Sequence, residues 1–254
     1  MTTINLMYHD VFIQDTGESG LDADGAFMYK MNATLFEEQV SEISKALNAQ
    51  TDNNVEVVFT FDDGGSSFYT IIAPILEKYG FKGIFFIATK YIDSAKFLTN
   101  EQIKELAAKG HIVASHSHSH PENIALLDYS AIINEWKISC DILSKIIGSR
   151  VRIASIPNGD SSKFVEQAAA NAGIEILYTS EPTTMDRTTN GFTQKGRYVV
   201  YGDTSTLELL DIIFNASKRR KMKIRYKILC AAHKLLGTHY NTIKTRVLAL
   251  IGRK

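Results

Sequence analysis

Two periods of hydrophobic spacing alternate along the chain. Short apolar runs, rich in β-branched and aromatic residues, recur at 4–8, 55–59, 83–88, 111–115, 152–156, 174–179 and 197–201, the signature of buried strands. Between them lie stretches with helical spacing. At 66–79, Phe68, Ile71, Ile72, Ile75, Leu76 and Tyr79 fall on one face, and Gly80 ends the run. A second helix opens with Thr99 and Gln102, a capping-box pair, and stops at Gly110. Further helices are predicted at 128–147 before Gly148, at 161–172 before Gly173, and at 205–216. Residues 14–33 are rich in Gly, Asp and Ser and read as a loop. The alternation predicts an α/β fold, a parallel sheet with helices outside it.

Unusual chemistry sits at the ends of two of these strands. The run Val55–Phe59 leads into Thr60, Phe61, Asp62, Asp63 and Gly64. Carboxylates where a buried strand runs out are costly unless paired, metal-bound or catalytic. Neighbours on a strand end also point to different sides and can take different tasks. An ordinary Asp-Asp-Gly turn is the other reading of this segment. After the apolar stretch Ile112–Ala114 come Ser115, His116, Ser117, His118, Ser119, His120 and Pro121, which hold three of the seven histidines. Imidazole and carboxylate together suit a zinc-like divalent cation, a catalytic site using three protein ligands and one open position. A solvated polar loop is the alternative.

These residues resemble the polysaccharide deacetylase family (the NodB-homology domain, carbohydrate esterase family 4). Its first motif, Thr-Phe-Asp-Asp-Gly, is matched at 60–64, and its second, His-Ser/Thr-x-x-His, at 116–120. The resemblance implies a distorted (β/α) barrel with its site at the strands' C-terminal ends. It also implies that Asp62 is the general base and that Asp63, His116 and His120 hold one divalent metal ion, zinc being the expected one. His118 falls on a variable position. In the chemistry so implied, a metal-activated water attacks an acetamide carbonyl, and a backbone N–H near Gly64 or Gly65 helps stabilise the oxyanion.

Two family elements are altered. The third motif, Arg-x-Pro-x-Gly, reads Ser155-Ile156-Pro157-Asn158-Gly159, so the arginine that orients the base is missing. Arg197, opening a later strand, is the candidate to approach Asp62 in its stead, and Arg152 lies three residues too early. Arg197 and Asn158 are both expected on the substrate side of the site. The Leu-x-His of the fifth motif has no counterpart, since His233 and His239 lie in the tail. The N-terminal Tyr8-His9-Asp10 resembles the family branch that deacetylates exopolysaccharides. His9 is therefore expected as the general acid, its tautomer held by Asp10 or another carboxylate.

Charge divides the chain. The net charge is zero, yet residues 212–254 carry 12 Lys and Arg and no acidic residue, leaving 16 basic against 28 acidic residues in 1–211. The expected domains are accordingly a catalytic unit, 1–211, and a basic amphipathic helical extension, 212–254. Basic residues interleaved with Ile, Leu and Tyr over 218–251 suit an anionic membrane surface; packing on the acidic barrel is the alternative. No module for nucleic acid is present. Cys140 and Cys230 do not suggest a disulfide framework. Residues 1–12 lack the pattern of a secretory signal, which gives the cytoplasm, with the tail on the inner membrane face, as the expected location.

The function expected from all this is metal-dependent removal of N-acetyl groups from a carbohydrate, either an amino-sugar polysaccharide or a lipid-linked saccharide. An O-acetyl esterase or small-amide hydrolase on the same fold is the nearest alternative. A catalytically silent, membrane-tethered carbohydrate-binding protein is the alternative outside enzymes.

Overall fold

The computed structural model describes residues 1–22, 25–50, 54–189 and 191–236. In chain order its strands are β1 (Thr2–Tyr8), β2 (Val11–Phe12), β3 (Met31–Asn32), β4 (Val55–Phe61), β5 (Gly83–Ile87), β6 (Ile112–Ser115), β7 (Ile153–Ser155), β8 (Ile176–Tyr178), β9 (Arg187–Thr189), β10 (Phe192–Lys195) and β11 (Tyr198–Val199). Its α-helices are α1 (Ala33–Asn48), α2 (Ala73–Lys78), α3 (Asn100–Ala108), α4 (Tyr129–Ile147), α5 (Lys163–Asn171), α6 (Thr206–Phe214) and α7 (Ala216–Leu236). Nine strands form one sheet in the order β11-β1-β4-β5-β6-β7-β8-β10-β9, and β2 pairs with β3 separately. Among the described residues of this sheet, β9–β10 is the one antiparallel strand pair. With β11 and β9 left at the edges, the sheet curls into a half-barrel of the expected distorted (β/α) type rather than closing.

Strand periodicity divides the core. On β5, Phe85 and Ile87 face the outer helices, within a core that includes Leu6, Phe61, Phe68 and Trp136. Their neighbours Ile84 and Phe86 face the barrel interior with Ala114 and Tyr178. Every residue of β5 is therefore buried, which is why this strand reads as an unbroken apolar run.

The expected caps are present. Thr99 and Gln102 make a reciprocal capping box at α3. Asp128 caps α4, which ends at Gly148 in the left-handed conformation with φ 71°. Three predictions need correction. Helix 66–79 begins with a π-helical turn, Phe68–Ile72, before becoming α2. The segment 180–196, where no strand is predicted, contains the β9–β10 hairpin that extends the sheet beyond β8. A domain boundary at 211 falls inside α6, whose Ile212 and Ile213 are buried against the barrel. One helix, α1, was not anticipated, although Phe36, Val40 and Ile43 give it a buried apolar stripe.

Helix α7 carries the first half of the basic extension and docks on the barrel. Lys218 pairs with Glu208 at 2.9 Å and Lys223 with Glu181 at 3.8 Å. Arg219 donates to the carbonyls of Ile212 and Ile213, the last turn of α6, where a cation also meets the helix dipole. Packing on the acidic barrel thus describes this part of the tail. Residues 237–254, including His239 and the apolar run 247–251, lie outside the described residues, as does the side chain of His233.

Candidate active site

Adjacent strand ends bring the candidate residues together. His9 follows β1, Asp62 and Asp63 follow β4, and His116 follows β6, all at the C-terminal rim where barrels of this kind place their chemistry. The rim backbone is cross-tied. The N–H of Asp62 donates to the Tyr8 carbonyl at 3.1 Å, that of Ala88 to Asp63 at 3.2 Å, and that of His116 to Ile87 at 3.0 Å. Asp63 (φ 89°), Ser117 (φ 64°), His120 (φ 52°) and Asn158 (φ 55°) all adopt the left-handed region. For residues bearing a Cβ this costs energy, and such strain persists only where neighbours over-determine it.

Asp63, His116 and His120 converge, with one donor atom from each within 4.8 Å of the other two. Asp63 Oδ1 lies 3.4 Å from His116 Nε2 and 3.3 Å from His120 Nε2. Donors at ~2.0–2.1 Å from a tetrahedral cation would stand about 3.4 Å apart, so the spacing fits a small divalent ion. Two imidazoles and a carboxylate also suit zinc and its neighbours in the first transition row. The ligands are held from behind. His116 Nδ1 faces Ser155, 2.6 Å from its Oγ and 3.2 Å from its carbonyl, which leaves Nε2 pointing into the cluster. Glu135 on α4 fixes the histidine loop, accepting from the N–H groups of His118 and Ser119 and from the Ser119 hydroxyl at 2.7–2.9 Å. His118 itself turns away, its Nδ1 2.9 Å from Thr89 Oγ1.

Asp62 is held differently. Arg197 grips it with a two-pronged fork, Nη1 to Oδ1 at 2.6 Å and Nη2 to Oδ2 at 2.8 Å. The arginine is fully buried, lies over the Phe86 ring at 5.2 Å, and also donates Nε–H to the Thr179 carbonyl. Asn5 of β1 secures the preceding peptide by donating to the Gly196 carbonyl at 2.9 Å. Arg197 is therefore the partner of Asp62, the place proposed for it as the replacement of the missing arginine, and its contacts here are to Asp62, Thr60 and Thr179. Ser155, at the position of the family's missing arginine, retains a long contact of 3.3 Å to Asp62.

Burial raises the pKa of both aspartates, and their partners outweigh it. Asp62 ends below its ordinary value because of the Arg197 guanidinium and the nearby His116. Asp63 ends well below, through hydrogen bonds from His116 and His120. His120 shows the reciprocal effect: burial lowers it, and the bond to Asp63 carries it above the usual imidazole value. Both carboxylates are thus ionised at neutral pH.

His9 borders the same cleft, stacked on Tyr29 with centroids 4.5 Å apart. Burial lowers its pKa despite the two aspartates. Its Nδ1 is buried without a hydrogen-bond partner among the described residues. Asp10 does not hold its tautomer, because that carboxylate turns under the loop instead. There Oδ1 accepts from Ser19 Oγ at 2.6 Å and Ser67 Oγ at 2.8 Å, in a space so close that a Cβ on Gly65 would stand 1.9 Å from it. Asp10 thereby ties part of the 14–33 loop to the start of the π-helical turn. Asn158 borders the cleft too, donating its side-chain N–H to the carbonyls of Pro121 and Glu122. The cleft has a volume of about 650 Å³ and includes Leu21, Tyr91 and Glu122 in its walls. Ser155, Glu135 and Asn5 were not foreseen as supports. Ser155 alone had a sequence signal, its place in the altered third motif.

A half-barrel with an Asp-His-His cluster beside an arginine-held aspartate defines the class of protein. The polysaccharide deacetylase family model matches residues 49–177, and the chain belongs to that family. Among curated proteins it is similar to YxkH of Bacillus subtilis, 32% identical over 131 residues, 52% of this chain and 47% of that one. It is also similar to the peptidoglycan-N-acetylglucosamine deacetylase of Bacillus cereus, 29% identical over 109 residues, 42% of this chain and 38% of that one. The chain thus spans less than half the length of these relatives. Among solved structures, the Streptococcus pyogenes deacetylase PplD in complex with acetate is 25% identical, with a TM-score of 0.67 over 84% of this chain and 98% of that one.

Proposed function

We propose that this protein hydrolyses the N-acetyl group of an amino sugar, releasing acetate and the free amine. The observation that carries the reading is the convergence of Asp63, His116 and His120 beside an ionised Asp62, in a cleft wide enough for a sugar residue. Asp63, His116 and His120 would hold the divalent ion, with zinc the proposed one. When bound, it would supply a Lewis acid that acidifies a water molecule and polarises the acetamide carbonyl.

Asp62 acts as the base, taking a proton as water adds to the carbonyl carbon. The fork from Arg197 keeps this carboxylate ionised and aimed, at some cost in basicity. A backbone N–H near Gly64 or Gly65 assists the developing oxyanion. When the C–N bond breaks, His9 delivers a proton to the departing amine, and the proton held by Asp62 returns to solvent. Because burial holds His9 below its usual pKa, proton delivery weakens as pH rises through a value under that of free imidazole.

The test is acetate release from N-acetylated and O-acetylated oligosaccharides, assayed in parallel. Release from the N-acetyl substrate, abolished in Asp62→Asn while metal content is retained, supports the reading. Release only from O-acetyl substrates would make the protein an esterase. No release from either, with metal bound, would leave a carbohydrate-binding protein.

A further inference from the structure

A second cavity, of about 800 Å³, lies beside the cleft, bounded on one side by α7 and on the other by 27–30, 180–182 and 199–203. The two spaces adjoin. Met28, Ser180, Val199, Tyr201 and Tyr226 border both. Beyond this shared boundary the lining is mixed, with Phe27, Pro182, Met222 and Leu229 as its apolar side chains and Lys30, Arg197, Asp203 and Arg225 as its charged ones, Arg197 being committed to Asp62. Its rim leaves unusual hydrophobic area in solvent: Phe27 is 39% exposed, Met28 55%, Tyr201 40% and Leu229 42%. Scattered single exposures are ordinary, but a contiguous apolar patch bordering a reactive cleft indicates a ligand.

Charge narrows the choice of ligand. Residues 216–236 contain eight Lys and Arg and no acidic residue. Several of these are used to dock the helix, as Lys218, Arg219 and Lys223 are. Arg225 lies on the groove and has no ion-pair or hydrogen-bond partner among the described residues. Lys30 is also at the groove, but its ammonium is buried and bonded to the carbonyls of Thr16 and Ser19. Asp203 is the acidic residue of the lining, and it is exposed. A trough with apolar side chains along α7 and one uncommitted guanidinium, beside a saccharide-sized cleft, matches an amphiphile with an anionic head between its sugar and its hydrocarbon chain.

Resting on the deacetylase reading, we infer that the substrate is a lipid-linked saccharide, its sugar in the cleft, its phosphate at Arg225 and its hydrocarbon chain against α7. The groove binds the lipid portion whether or not catalysis occurs, so the two ideas fail separately. The test is calorimetric titration of farnesyl phosphate, below its aggregation limit, into the wild type, Arg225→Glu, Arg225→Lys and Leu229→Glu. Arg225 and Leu229 are exposed and outside the catalytic cluster, so thermal melting and acetate release from a soluble N-acetyl oligosaccharide stay unchanged in all variants. The expected result is saturable one-to-one binding, weakened at least tenfold by Arg225→Glu and Leu229→Glu and largely kept by Arg225→Lys.

Absence of saturable binding, or equal binding in all four proteins, overturns the inference. So does equal affinity for inorganic phosphate, which would make Arg225 an anion site alone. Binding to anionic phosphatidylglycerol vesicles without binding to farnesyl phosphate would make this face a membrane surface and likewise overturn it. Farnesyl phosphate binding in a protein that releases acetate from no substrate would instead remove the deacetylase reading and leave the lipid site standing.

Discussion

Replacing Arg197 with leucine tests the central electrostatic argument. In the native protein both oxygens of Asp62 are occupied by the guanidinium, at 2.6 and 2.8 Å, and the carboxylate is 2% exposed. In Arg197→Leu the side-chain hydrogen-bond donor left to Asp62 among the described residues is Ser155, at 3.3 Å, with His116 Nε2 farther off at 4.0 Å. Breaking a buried pair by removing one partner costs roughly 3–5 kcal/mol, because the remaining charge is desolvated without compensation. The expected loss at pH 7 is of that size, measured by urea unfolding. Asp62→Asn alone should also be costly, since it strands the buried guanidinium. The double variant Asp62→Asn with Arg197→Leu should recover much of the sum, giving a coupling of at least ~2 kcal/mol.

The sign with pH follows from linkage. In the wild type Asp62 is held below its ordinary value, so its contribution to stability is present above the unfolded carboxylate pKa and is lost as pH falls through the folded one. Without Arg197, burial dominates and raises the pKa, so the penalty is largest at neutral pH and relaxes on acidification. The gap between wild type and Arg197→Leu should therefore narrow from pH 7 to pH 4. A gap that stays constant over that range, or single-variant losses that simply add in the double variant, would refute the argument.

Four further outcomes are expected. Burial pushes Asp10 up from 3.8 to about 6, so the wild type should lose up to about 3 kcal/mol of stability as pH rises from 4 through 6; Asp10→Asn should flatten that part of the profile in urea unfolding. Gly65→Ala would place a Cβ 1.9 Å from Asp10 and 2.6 Å from Ser19 Oγ, and should cost about 1–3 kcal/mol by overpacking, read as a lowered Tm. Glu135→Ala frees the histidine loop while leaving every ligand in place, and should weaken metal binding by about 10-fold in competition with a chelator, whereas Asp63→Ala and His116→Ala should abolish stoichiometric metal in elemental analysis.

What the sequence determined by itself was local. Strand periods, helix stripes and caps depend on neighbours a few residues apart, so β5, the Thr99 capping box and the end of α4 at Gly148 could all be read directly. The same holds for Asp62 and Asp63 and for the pair His116 and His120, because each motif lies within one strand-to-loop junction. The structure alone decided what crosses the barrel. Arg197 could be named as a candidate for Asp62 but not placed, since only the curl of the sheet brings residues 135 positions apart into a two-pronged contact. Ser155 behind His116, Glu135 beneath the histidine loop, and Asn5 securing Gly196 are set by strand order and helix packing, which no local period encodes. Asp10 shows the difference most sharply. Beside His9 in sequence it looked like that residue's partner, but successive side chains leaving a strand diverge, and the fold gave its carboxylate to Ser19 and Ser67 instead.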